Sequence, residues 1–193
     1  MSSRIPPVSS GYPYDLPPFD APSKTLNVVI ETIQGSPNKL KLDPSRGIFR
    51  LAKVLPVGSV FPYDFGFVPS TLCEDGDPMD VLVIMDAPTH PGCIVPSRIL
   101  GVIEAMQTNK GKKPVRNDRI IAVSDDSSRY QGISTLRALG SALLDEIEHF
   151  FEQYNLAVGR KFEVLGRRGP TEARRLIDAA AREYVRSSRT REG

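Results

Sequence analysis

The stretch EDGDPMDVLVIM, Glu74 to Met85, changes character within its own length. Four of its first seven residues are acidic (Glu74, Asp75, Asp77 and Asp80), and everything after Asp80 is apolar. Gly76 admits left-handed backbone and Pro78 fixes its own φ, so the acidic half reads as a stiff turn. The Val-Leu-Val-Ile run that follows, bounded by turn residues, reads as a short buried strand. Asp75 and Asp77 therefore sit on the turn, and Asp80 opens the strand.

The bland meaning of such a segment is a solvated turn. A calcium loop starting at Asp75 would need glycine at its sixth position, where Asp80 stands. No G-x-x-x-x-G-K-[ST] phosphate loop occurs anywhere in the chain. The remaining chemistry is a divalent-metal site. Carboxylates are hard oxygen ligands suited to Mg²⁺, which shares its shell with water and phosphate oxygens. A third, spare carboxylate beside them can accept a proton from water. That combination points to hydrolysis of a phosphoanhydride.

Outward from this turn, short segments of strand character recur: 26–33, 38–42, 47–54, 80–85, 92–106, 118–123 and 160–165, separated by Gly, Pro, Asn and Asp. Their spacing predicts a small, closed or highly curved antiparallel sheet. Two helices are predicted. Over 141–155, Leu143, Ile147, Phe150 or Phe151, and Tyr154 recur at helical spacing; over 171–187, Leu176, Ile177, Ala180 and Tyr184 mark one face. Residues 1–22 hold six prolines and no periodicity, which predicts an extended arm ahead of a domain over 23–170, with 171–193 as a C-terminal helix and basic tail. The fold class is α+β: a β-barrel with helices packed outside it.

Composition narrows the function. The 193 residues are 40% hydrophobic and 25% charged, an ordinary globular balance. No run of about 18 apolar residues marks a membrane span, and the N-terminus lacks the apolar stretch of a secretory signal, so no membrane association is expected and the cytoplasm is the default. Two cysteines, Cys73 and Cys93, make no disulfide framework. The net charge of +2 is uneven. From Arg160 onward ten basic residues face five acids, but they lie on a helical pattern with acids interspersed and no aromatic stacking face, which argues against nucleic acid. The apolar stripe and arginines of the 171–187 helix suggest a partner surface.

EDGDPMDVLVI resembles the D-x-D-P-x-D-[VL] signature of the family I soluble inorganic pyrophosphatases. VVIE (28–31), FPYDFGFVP (61–69), HPGCIVPSRILGVIE (90–104), RIIAV (119–123) and EIEHFFEQY (146–154) follow the family's order, over roughly residues 24–165. The resemblance implies a five-stranded OB-like barrel with flanking α-helices, homo-oligomers, and Mg²⁺-dependent cleavage of diphosphate to two phosphates. Carried over position by position, Asp75 and Asp80 are metal ligands and Asp77 is the base. Glu31 matches an acid at the end of the first strand. Lys39, Lys53, Arg119 and Tyr154 match phosphate-contacting positions.

The departures are as specific. Lys41 stands where the family has glutamate, Lys53 where it has arginine, and Phe61 and Phe65 where it has tyrosines. Asn155 replaces a lysine. Gln107 and Asn117 occupy the places of two metal-binding aspartates. Asp118 is the nearest substitute, but on a strand it faces away from Asn117 and Arg119 unless a bulge turns it. The pocket is thereby about three charges more positive than the family pattern, and Lys41, on the same strand face as Lys39, can fill the space of a distal metal. Two readings stay open. The retained aspartates favour a slowed Mg²⁺-dependent hydrolase; Gln107 and Asn117 favour an impaired relative that binds phosphate compounds or a partner.

Overall fold

The computed structural model describes residue 13 and residues 15–191. Among the described residues nine strands run β1 (Leu26–Thr32), β2 (Asn38–Asp43), β3 (Ile48–Val54), β4 (Asp64–Val68), β5 (Met79–Ile84), β6 (Ile94–Asn109), β7 (Val115–Arg116), β8 (Arg119–Ser124) and β9 (Arg160–Arg168). A short helix α1 (Leu136–Leu139) precedes α2 (Ser141–Leu156), and α3 (Pro170–Arg191) follows β9.

Five strands pair in a ring. β1 lies beside β4, β4 beside β5, β5 beside β8, β8 beside β6, and β6 returns to β1. Closure of this kind leaves the ring without a free edge. The sixteen-residue β6 makes it possible: its first half pairs with β1, its middle with β8, and its second half with β7 and β9. A register irregularity between Ile99 and Gly101 marks its bend against β8. Gly101 is required there, because a Cβ would lie 2.3 Å from the carbonyl oxygen of Arg168 and 2.7 Å from the Leu136 side chain. β2 and β3 form a separate hairpin.

Side chains alternate between two cores. On β5, Val81 and Val83 enter one cluster while Leu82 and Ile84 enter the other; on β8, Ile120 and Ala122 divide from Ile121 and Val123 in the same way. Both faces of these strands are buried, which is why they read as unbroken apolar runs. Helix α2 closes the first cluster with Leu144, Ile147 and Phe151, each worth about 1.5–3 kcal/mol when buried. Helix α3 joins the second through Ala173, Ile177 and Ala180.

The α+β architecture and the closed five-stranded ring agree with the sequence reading, and its details correct it. The β5–β8 pair is parallel, so the sheet is mixed; β6 and β7 intervene between the two and return the chain in the same direction. Residues 64–68 form a fully buried strand that Gly66 and the flanking prolines disguised as a loop. The buried face of α2 is carried by Leu144, Ile147 and Phe151, with Leu143, Phe150 and Tyr154 half-buried beside it. The α3 stripe at Ile177 and Ala180 is covered by this chain's own barrel, so those two residues are not a partner surface.

Of the expected arm, residues 1–12 and 14 lie outside the described residues. Its end is strapped down: Phe19 bridges to Leu26, the Ser70 hydroxyl donates to the Leu16 carbonyl at 2.8 Å, and the Arg174 guanidinium lies 3.6 Å from the Phe19 ring centroid. No helix among the described residues is long and apolar enough to cross a membrane.

Candidate active site

The acidic turn is built as its residues suggest. Gly76 has φ +87°, in the left-handed region, and its N–H donates to the Cys73 carbonyl at 3.0 Å. The Cys73 N–H reaches the Asp77 carbonyl at 2.8 Å, and the Asp77 N–H donates to Asp75 Oδ1 at 3.1 Å. Asp80, second residue of β5, points opposite to the buried Met79 and Val81. Three carboxylates therefore converge on one cleft. Glu31 from β1, Lys39 and Lys41 from β2, Arg119 from β8, Tyr154 from α2, and the amides Gln107 and Asn117 complete its walls.

The acidic side is short of positive charge. Burial pushes the Asp75 carboxyl above the usual range, the hydrogen bond from the Asp77 N–H opposes this, and the charges of Asp80 and Asp77 add to it. Glu31 is 5% exposed and is pushed up to about 7, chiefly by burial. The Leu42 N–H, which donates to Glu31 Oε1 at 2.8 Å, pulls it back, as do Lys39 and Lys41. Burial also raises the Cys73 thiol, an inert packed group beside the turn.

Two cations answer two of the acids. Lys41 Nζ lies 2.6 Å from Asp77 Oδ1, and Arg119 Nη1 lies 2.7 Å from Asp80 Oδ2. Arg119 is 4% exposed, sandwiched between the rings of Phe151 and Phe162 at 5.0 and 5.3 Å, and it also donates to the Asp118 carbonyl at 2.9 Å and to the Asn117 side chain. Asn117 Nδ2 in turn donates to Gln107 Oε1 at 3.1 Å. This floor of the cleft is a connected network in which one buried atom, Arg119 Nε, lacks a hydrogen-bond partner.

The Asp118 side chain takes no part in it. Its Oδ1 accepts the Ala105 N–H at 2.9 Å and its Oδ2 pairs with Arg116 at 3.0 Å, on the side away from the cleft, as strand alternation predicts. Lys39 holds its ammonium 4.9 Å from the Phe65 ring centroid and 5.6 Å from that of Tyr154. Lys53, opposite Lys39 in the hairpin, lies 5.5 Å above the Tyr154 ring but does not line the cleft. Every other predicted site residue does. Arg160 also lines it and was not foreseen. It is brought there by the pairing of Asn109 with Arg160, a β6–β9 register that no local pattern encodes.

The donor set suits a divalent cation of limited extent. Asp75 and Asp80 offer hard oxygens to an ion that keeps several waters, and the unrelieved negative charge at Asp75 favours it. The positions where the family resemblance places further acids hold the amides Gln107 and Asn117 and the ammonium of Lys41. Among the described residues, no group of three or more His, Cys, Asp or Glu side chains is placed so that it could hold a metal ion by itself.

Comparison with known proteins points to one family. The sequence model of the Pyrophosphatase family (inorganic pyrophosphatase) matches residues 28–185. The inorganic pyrophosphatase of Nostoc sp. is 36% identical over 159 residues, covering 82% of this chain and 91% of its own. That of Halalkalibacterium halodurans is 35% identical over 161 residues, covering 83% and 96%. The crystal structure of inorganic pyrophosphatase from Thermus thermophilus superposes with a TM-score of 0.80 at 33% identity, over 89% of this chain and 97% of that one.

Proposed function

The chain belongs to the inorganic pyrophosphatase family, and from that membership we propose that it hydrolyses diphosphate to two phosphates with the help of Mg²⁺ at Asp75 and Asp80. The observation that carries this reading is the convergence of Asp75, Asp77 and Asp80 on a cleft that also holds Lys39, Lys41, Arg119 and Tyr154. Lys39, Arg119 and the Tyr154 hydroxyl hold phosphate oxygens, with Lys53 adding positive charge behind Tyr154. Asp75 and Asp80 would hold a divalent cation, which would supply positive charge to phosphate oxygens and acidify water. Asp77, the most exposed of the three aspartates, takes the proton of the attacking water. The water oxygen bonds to one phosphorus, the bridging P–O bond breaks, and its electron pair leaves with the second phosphate.

Turnover is slower than in a site with a full set of acids, because Gln107 and Asn117 bind each other and supply no charge to further cations. The enzyme works in the cytoplasm as a homo-oligomer; the exposed Ile48, Leu51 and Val54 of β3 are apolar surface available to a second copy. Phosphate release from diphosphate and Mg²⁺, with Asp77→Asn as control, tests the activity. The variant is expected to lose ~10²–10³ in kcat. Equal rates for the two proteins remove Asp77 from the chemistry. Absence of release by the unmodified protein favours the second reading, a phosphate-binding relative, which the ion pair between Asp77 and Lys41 supports.

A further inference from the structure

Lys41 and Asp77 are 36 positions apart in sequence, yet their side chains meet at 2.6 Å in the middle of the cleft. A base held by an ammonium at that distance is not free to accept a proton. The cleft presents four carboxylates and four cationic side chains, so it is formally neutral before any ligand arrives. The cations differ in freedom. Arg119 is buried, ring-stacked and tied to three neighbouring oxygen acceptors besides Asp80. Lys41 is a third exposed, on a four-carbon stem, paired to an Asp77 that is half-exposed. Lys41 and Asp77 also line a second groove on the far side of the acidic turn, bordered by Leu42, Arg50 and Tyr184, so the ammonium has open space to turn through.

We propose that Lys41 is a resident cation of the substrate site: it holds Asp77 in the empty cleft and passes to a diphosphate oxygen when substrate enters, which frees Asp77. The inference rests on the diphosphate reading above and adds the substrate contact that distinguishes this chain's cleft. The exchange follows from charge. A diphosphate brings several negative charges where Asp77 offers one, and charge-assisted bonds to phosphate are among the strong ones. It also lets the site bind diphosphate with little help from divalent metal, because the ammonium supplies charge that a cation from solution would otherwise bring.

The test is calorimetric titration with methylenediphosphonate, a non-hydrolysable diphosphate analogue, in EDTA. The unmodified protein is expected to bind it without metal. Lys41→Gln and the near-isosteric Lys41→Met are expected to bind at least about tenfold more weakly, and Lys41→Arg within a few-fold of the unmodified protein. Lys41→Glu is expected to lose metal-free binding and to gain Mg²⁺ affinity, since a fifth carboxylate then lines the cleft with Glu31, Asp75, Asp77 and Asp80. Thermal melts establish that each variant is folded; Lys41→Met reads the same quantity if Lys41→Gln does not fold. Metal-free affinity unchanged within twofold in the folded Gln or Met variant overturns the proposal, whatever the hydrolysis rate. Loss of that affinity in a protein that releases no phosphate sustains the Lys41 contact and defeats the hydrolase reading instead.

Discussion

The two sides of the cleft handle charge in opposite ways. On the side of the acidic turn, Asp75 and Glu31 are carboxylates whose burial is not matched by a paired cation, and both are pushed upward. On the floor, Gln107, Asn117 and Arg119 are linked to one another, and Arg119 brings its charge to Asp80. One side keeps an unmet demand for positive charge. The other has met that demand from within the protein. On the reading proposed above, a metal ion would be attracted to the first and gain nothing from the second, so a cleft of family shape would hold a reduced metal complement without losing its architecture.

The largest expected effect comes from removing charge where it is unmet. Asp75→Asn keeps an oxygen to accept the Asp77 N–H, so the turn survives while the ligand charge goes. Mg²⁺ binding, read by calorimetry, is expected to fall below detection at millimolar ion, and phosphate release to drop by ~10²–10³, about 3–4 kcal/mol of transition-state stabilisation. Retained Mg²⁺ affinity would break the comparison at its root.

Glu31 gives the next effect, on stability. The ordinary glutamate value is 4.5 and the folded chain raises it to about 7. Below pH 4.5 the group is protonated in both folded and unfolded chains; between 4.5 and about 7 only the folded chain holds the proton; above about 7 neither does. Stability therefore falls as pH rises through that window, by about 3 kcal/mol in all. Glu31→Gln still accepts from the Leu42 N–H and has no proton to lose. In EDTA, the variant is expected to gain roughly 6–12 °C in melting temperature over the unmodified protein between pH 4.5 and 8. Parallel melting curves across pH would mean that Glu31 is not under that strain.

The floor can be tested by giving it back its charge. Gln107→Asp with Asn117→Asp places two carboxylates beside Arg119, one of which Arg119 can hold. The double variant is expected to take up an additional Mg²⁺ in calorimetry and to raise phosphate release by about tenfold at saturating ion, about 1.4 kcal/mol. A variant with unchanged metal stoichiometry would show that the floor is closed by geometry as well as by charge.

Which parts of this were legible follows from how far apart the cooperating residues lie. The turn and Asp80 are read from seven consecutive residues, and Asp118 facing away is read from strand alternation alone. Lys39 and Lys41 share a face of β2 for the same reason. The β2–β3 register that sets Lys53 behind Tyr154, the β6–β9 register that delivers Arg160, and the meeting of Lys41 with Asp77 are products of strand pairing and packing around the barrel. No local pattern carries them. The strand at 64–68 was hidden because Gly66 and the prolines around it mimic loop composition, whereas the chain uses the glycine for strand contact: a Cβ there would lie 2.0 Å from the Val29 carbonyl oxygen. The parallel β5–β8 pair likewise depends on the path of the chain between them.

The smallest effect tests whether the acidic side depends on the shape of its turn. Gly76 is open to solvent, with nothing within 4 Å of a would-be Cβ, so steric collision plays no part in Gly76→Ala. Its φ of +87° remains, and an L-residue there costs about 1 kcal/mol. The chain can accept that cost in stability, a few degrees in melting temperature for a protein of this size, or relax the turn. The two responses separate at the metal. A turn held rigid by the Cys73–Asp77 and Gly76–Cys73 bonds keeps Asp75 and Asp80 in place, so Mg²⁺ affinity stays within about twofold while the melting temperature falls. A turn that relaxes moves Asp75 away from Asp80 and weakens Mg²⁺ by tenfold or more with little change in melting temperature. We expect the first outcome, because Asp80 is anchored in a buried strand and Asp75 is tied to Asp77 by its own carboxylate.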